Sequence, residues 1–460
     1  MTEIYKTQAT FQKRNKPHRL KACINIFNMY HVKYFEYFYM VVMVIYMAQM
    51  TNDTGRMVGT LSGNPLPFLL PIILTVILLS RHKIKWDCKQ LWIIIGIFVI
   101  WSFLILAKYN AFTNTEELSY LFFLFYAIII AYVHVRIYKK TLFPIYEHIF
   151  VWACKIAVIF WLLNVILYHS SGIVSIFPDS LLGHSILYLY QWITPAKNVY
   201  ENVILRNSGC SWEPGRFAIM IVLAIYVNLS RNGIKFKNNK EIFWLLIALI
   251  TTQSTTGYST TMLLYCLFLF KKLSFRSIVI FVLIFLPLTV FVNQLDFMGE
   301  KISTQLDLEE ESYQMQKSSD YVVNTLKQGE YAYSLNRFQS MYFEYDNLIH
   351  DYLLGYSRKT EHSYFYKNVS SNTVLTGGLV KIFAQYGILL GLFIYYLLFQ
   401  SSVRISADFK VKRKYALITI ILLNSVAYPM WCTPVFTAFW LYGSFAINEA
   451  KNKKHAVLKA

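Results

Sequence analysis

The chain has 460 residues, of which 56% are hydrophobic, 17% aromatic and only 15% charged, with a formal net charge of +19. A soluble domain carries about 25% charged residues, so the composition excludes an ordinary soluble enzyme. The basic clusters are short and abut long apolar blocks, which argues against a nucleic-acid partner and for spans of a membrane.

Residues 1–33 form a basic, polar tail, and no small-residue cleavage site follows the first apolar block. That block is therefore expected to act as the insertion signal as well as the first span. Spans are predicted at 34–50, 66–80, 91–107, 118–135, 148–168, 216–230, 241–254, 256–270, 276–293, 376–399, 415–429 and 432–447. In lipid the backbone must satisfy its own hydrogen bonds, so these blocks read as helices. The predicted fold class is an all-α polytopic membrane protein of about twelve transmembrane helices. Nine spans fill 34–293, with an outer loop at 169–215. A large extracytoplasmic loop with short helices covers 294–375, three spans fill 376–447, and 448–460 is a second cytoplasmic tail. Thirty of the 44 Lys and Arg residues fall in the seven loops this topology puts in the cytoplasm, as the positive-inside rule requires.

Several segments depart from a plain apolar block. The stretch 241–270 must hold two passes, interrupted by Gln253, Ser254, Thr255, Thr256 and Gly257, and the last pair carries Pro429 and Pro434 in its hairpin. Such short spans either surround a binding site or are a pair of tilted helices with a polar turn. In the loop 169–215, the stretch Leu181–Trp192 is too short to span and is expected along the membrane interface. The loop 294–375 holds twelve of the 25 acidic residues. Within it, Ser334–Leu354 has helical periodicity, with Phe338, Met341, Tyr345 and Leu348 on one face, and reads as a small helical lid.

The stretch from Arg206 through Glu213, Pro214 and Gly215 to Arg216 and Phe217 enters the sixth span. Charges beside hydrocarbon are costly, so they are expected to be paired or to face a cavity. Pro214 suits the first helical turn, and Glu213 would sit at the positive end of that helix. A plain interfacial cap, with Glu213 and Arg216 as a salt bridge, accounts for the same residues. The pattern Arg-x-x-Gly-x-x-x-Glu-Pro-Gly-x-Phe resembles the signature of O-antigen and capsule repeat-unit polymerases, within the O-antigen-ligase-like membrane proteins. Further resemblances follow in order: Ser254-Thr-Thr-Gly257-Tyr258, Arg337 with Leu353-Leu354-Gly355-Tyr356, Asn372 through Gly378, and Ala384-Gln-Tyr-Gly387-Ile. Ser357 stands where that family has a second glycine, and the resemblance covers roughly 200–400 only.

The resemblance implies an enzyme that joins polyprenyl-diphosphate-linked oligosaccharides on the outer face of the bacterial plasma membrane into O-antigen or capsule polysaccharide. It would act without metal or cofactor, among membrane lipids and beside a flippase and a chain-length regulator. The leaving group is a lipid diphosphate, so cations must stabilise it, and arginine forks suit phosphate oxygens. Arg206, Arg216, Arg337 and Arg358, with Ser254, Tyr258 and Asn372, are the candidate substrate-binding residues. The acceptor hydroxyl needs a base: His362 ranks first, His350 second, and Glu213 is the alternative. A ligase moving finished glycan shares the same fold and donor. A flippase or transporter of lipid-linked sugars is the rival from another class, opposed by the missing internal repeat and the 82-residue outer loop.

Overall fold

The computed structural model describes residues 33–49, 66–171, 179–180, 183–186, 189–195, 203–211, 213–234, 239–269, 337–357, 359–369, 375, 378–428, 431 and 433–446. In chain order the helices are α1 (Tyr34–Gln49), α2 (Leu66–Arg81), α3 (Lys89–Lys108), α4 (Thr115–Tyr138), α5 (Leu142–Ser171), α6 (Pro214–Asn232), α7 (Glu241–Thr252), α8 (Thr255–Leu269), α9 (Arg337–His350), α10 (Tyr364–Asn368), α11 (Gly378–Asp408), α12 (Ala416–Ala427) and α13 (Pro434–Phe445). The stretches Lys89–Lys108, Thr115–Leu167 and Gly378–Asp408 are long and apolar enough to cross a membrane, and shorter apolar helices cover 34–45, 70–81, 241–252, 416–427 and 435–445. Eleven of the twelve expected apolar blocks coincide with helices. The twelfth, 276–293, lies outside the described residues.

The apolar surface is turned outward as well as inward. Val76, Ile100, Phe103, Ile159 and Leu389 are all more than half exposed, an arrangement suited to lipid rather than water. At the centre stands α6, in which every residue from Pro214 to Leu229 is buried. A helix that is covered on all sides in this way needs no polar face.

Two expectations are corrected. The fold is not purely helical, because four described strands, β1 (Asp179–Ser180), β2 (Gly183–Ile186), β3 (Leu189–Pro195) and β4 (Val203–Gly209), pair in sequence order as an antiparallel sheet. The stretch expected along the membrane interface therefore contributes strands. Tyr190, Trp192, Ile193 and Thr194 suit a pleated surface, and pairing with β4 gives their backbone the partners an isolated strand lacks.

The second correction concerns α9, which is shorter than expected and rotated. Its buried face is Ser340, Glu344 and Asn347, while Tyr342, Tyr345 and Ile349 are exposed. The reason lies in the neighbouring helix. Glu344 meets Lys381 of α11 at 3.9 Å and accepts hydrogen bonds of 3.2 Å from Tyr356 Oη and Asn347 Nδ2. A buried carboxylate must be paired, and that requirement outweighs the apolar stripe.

The helix α11 is broken at Gly387, whose φ of 77° is non-helical. The turn 351–357 fits into the break. Tyr356 N donates to Ala384 O at 2.9 Å, Ser357 N to Gln385 O at 3.1 Å, and Ile388 N to Tyr352 O at 2.8 Å. A Cβ on Gly387 would lie 2.1 Å from Leu353 O, so the close approach itself requires glycine. The Leu-Gly-Tyr and Tyr-Gly-Ile stretches are thus two halves of one joint.

The loops gather at two ends. One end holds the connections 109–114, 206–213 and 253–254, the turn 351–357 and Tyr428. The other holds Lys83, Lys85, Lys139, Lys140, Lys410, Lys412, Arg413 and Lys414, drawn together by contacts such as Tyr132 Oη to Lys85 O and Phe143 against Phe409.

Candidate functional site

The segment from Arg206 to Phe217 folds as one unit at the first of these ends. The strand β4 stops at Gly209, whose φ is 53° and whose bare Cα lies against the Phe217 ring, 2.2 Å from where a Cβ would stand. Asn207 Oδ1 accepts from Gly209 N at 2.9 Å, and its amide donates to Thr251 Oγ1 at 2.9 Å. Glu213 is the N-cap residue of α6 in extended conformation, with Pro214 in the first turn, as the sequence predicts. Arg216 follows in the same turn and is buried.

Arg206 points from β4 to the break between α7 and α8. Its Nε and Nη2 donate to Thr252 O and Gln253 O, both at 3.2 Å, where α7 ends with Gln253 in the left-handed region. A cation at a helix C-terminus satisfies orphaned carbonyls and opposes the helix dipole. Burial pulls the Arg206 guanidinium below its usual range, while Glu213, Tyr258 and Tyr428 act against that. Ser254 and Tyr258 close the same hairpin: Ser254 Oγ accepts from Gly257 N at 3.3 Å, and Tyr258 Oη donates to Ile250 O at 2.6 Å. The first turns of α6 and α8 lie side by side, with Ala218 Cβ 2.7 Å from where a Gly257 Cβ would stand. Two positive helix ends therefore face the same region.

Arg337 opens α9 and reaches into this region. Its Nη1 donates to Thr256 Oγ1 at 3.4 Å, and its guanidinium sits 5.4 Å from the Tyr428 ring centroid. Tyr428 Oη donates to Glu213 Oε2. A single point above Gly215 shows the convergence: a Cβ there would be 3.4 Å from Glu213 Oε1, 3.5 Å from Tyr428 Cε2 and 3.8 Å from Arg337 Nη2. Among the described residues, buried polar side-chain atoms without a hydrogen-bond partner lie on the segments that meet here, on Ser208, Ser211 and Gln253. Buried polar groups of this kind take up water or a polar ligand.

The histidines lie elsewhere. His350 ends α9, is exposed, and stacks on Tyr364 at 3.5 Å. His362 stacks on Tyr109 at 3.9 Å, and Tyr109 donates to Asp351, the residue after α9. The 14 residues of α9 rise about 20 Å, so this second cluster is at the opposite end of that helix from Arg337. His362 Nε2 is buried, has no hydrogen-bond partner among the described residues, and lies 3.9 Å from Glu117 Oε2. Glu117 also accepts from Ser357 Oγ. Burial, with Lys367 and Lys359 nearby, pushes the His362 imidazole down to about 4.

The structure thus gathers Arg206, Glu213, Ser254, Tyr258 and Arg337 and leaves His350 and His362 apart from them. Arg358 and Asn372 lie outside the described residues. Sequence reasoning missed Tyr428 at the first cluster, and Tyr109 and Glu117 at the second, and marked Gln253 and Thr256 only as members of a polar break. Only the polar break at 253–257 carried a signal for any of them. No protein-family model matches the chain, and no curated protein is similar to it.

Proposed function

We propose that this chain is a membrane-embedded polymerase that joins polyprenyl-diphosphate-linked oligosaccharides into a surface polysaccharide on the outer face of a bacterial plasma membrane. The observation that carries this reading is the convergence of Arg206, Arg337 and Glu213 on the paired helix ends of α6 and α8. In the proposed orientation the lysine-rich end faces the cytoplasm and the arginine end faces outward, with twelve spans and both termini inside.

The reaction forms one C–O bond and breaks another. The acceptor hydroxyl attacks the anomeric carbon of the donor glycan, and the bond from that carbon to the diphosphate breaks. The hydroxyl proton goes to Glu213, and the departing lipid diphosphate carries the electron pair. Guanidinium forks and helix N-termini are suited to that developing charge. The unpartnered side-chain oxygen of Gln253, whose backbone carbonyl holds Arg206, suits a sugar hydroxyl. Glu213 is favoured as base over His362 because it stands beside the arginines.

The test uses Arg206→Ala and Arg337→Ala strains and reads the length of the surface glycan. Both changes should abolish long chains while membrane insertion stays normal. Arg→Lys should rescue poorly, since a point charge replaces a two-pronged donor. Normal chain length in either alanine strain refutes the reading.

A further inference from the structure

We infer that Tyr428 is a positioning residue for the proposed transfer: one side chain holds the base Glu213 through its hydroxyl and seats Arg337 on its ring. The inference rests on the polymerase reading and adds a residue that neither the motifs nor the resemblance singled out.

Tyr428 directly follows the last residue of α12. Its amide donates to Asn424 O at 3.0 Å, so its backbone is tied to a helix end while its φ of −145° and ψ of 127° turn the chain into an extended path. The ring is therefore delivered from a fixed point, between the N-terminus of α6 and the first residue of α9. Its two contacts use different parts of the side chain. The hydroxyl donates to Glu213 Oε2, and the ring face takes the Arg337 guanidinium at 5.4 Å. Gly215 permits this approach, since its missing Cβ would stand 3.5 Å from Tyr428 Cε2.

The chemistry needs such a link. The base must meet the acceptor hydroxyl while a cation meets the departing diphosphate, and the distance between them is set by whatever holds both. Glu213 belongs to α6 and Arg337 to α9, two elements separated by more than a hundred residues of chain. The charged and titratable groups gathered with Glu213 are Arg206 from β4, Arg337 from α9, Tyr258 from α8, Tyr428 from the end of α12, and Arg216 on its own helix. Among them, Tyr428 touches both the carboxylate and the α9 arginine.

The two contacts can be removed separately. Tyr428→Phe keeps the ring and deletes the donor. A hydrogen bond to a charged group is worth about 1.5–3 kcal/mol, so kcat should fall about 10- to 100-fold. The donor KM should hold, because the arginine seat remains. Tyr428→Leu removes the ring as well and should also raise the donor KM.

The measurement is polymerisation by the purified full chain in detergent, with polyprenyl-diphosphate oligosaccharide extracted from the source cells, across a series of donor concentrations. An inactive wild-type protein would sink the polymerase reading itself. With an active wild type, a Tyr428→Phe enzyme of unchanged kcat overturns the positioning role. So does a Tyr428→Phe enzyme whose donor KM rises as kcat falls, which would mark a merely structural residue. Tyr428→Phe alone decides the matter should Tyr428→Leu fail to fold.

Discussion

Lys381 and Glu344 are almost wholly buried, at 1% and 0% exposure, and their charged groups lie 3.9 Å apart. Breaking a buried ion pair by removing one partner costs about 3–5 kcal/mol, because the remaining charge stays in a poor solvent. The two members are not equivalent here. Without Lys381, Glu344 retains Tyr356 Oη and Asn347 Nδ2, so Lys381→Met should cost near the lower figure, about 3 kcal/mol. Glu344→Leu also deprives Tyr356 and Asn347 of their acceptor and leaves Lys381 with the Leu375 carbonyl at 3.0 Å. Its cost should approach about 5 kcal/mol. The double variant removes both charges and should recover about 1–3 kcal/mol of the summed loss. Denaturant titration in detergent micelles, followed by tryptophan fluorescence, reads all three. Additive losses, or single variants as stable as the parent, would show that the pair does not fasten α9 to α11.

Three further outcomes are expected. Gly387→Ala should destabilise by about 2–4 kcal/mol, from the positive φ and the overlap with Leu353 O, and a wild-type unfolding midpoint would contradict the joint. The His362 imidazole lies near 4 in the fold against 6.5 ordinarily, so it binds a proton more readily in the unfolded chain. Its stability contribution is complete above about 6.5 and is lost as pH falls toward about 4; it is worth about 1–2 kcal/mol once solvent screening is counted. His362→Phe should flatten that part of the stability curve. In a background without native cysteines, Glu361→Cys should react with an impermeant thiol reagent in intact cells and Lys410→Cys should not, and the reverse result would invert the proposed orientation.

Local signals were legible in the sequence wherever one residue determines one conformation. Pro214 with Glu213 marked the start of α6, and the polar run at Gln253 and Ser254 marked two passes where hydropathy alone shows one. The sheet was missed because β4 contains Arg206, Asn207 and Ser208, which read as loop until β3 is placed beside it. The orientation of α9 was missed because its buried face answers to Lys381, outside its own sequence. For the same reason the surroundings of His362 were hidden: Tyr109 and Glu117 are about 250 residues away in the chain.

The joint between the turn 351–357 and the break in α11 has a consequence for how α9 can move. Swinging α9 aside would strand the carbonyls of Ala384 and Gln385 and the amide of Ile388, which the turn now satisfies. Each such group left without a partner costs about 1–3 kcal/mol. The turn after α9 is therefore part of the frame, and α9 and the broken helix α11 are expected to move together or not at all.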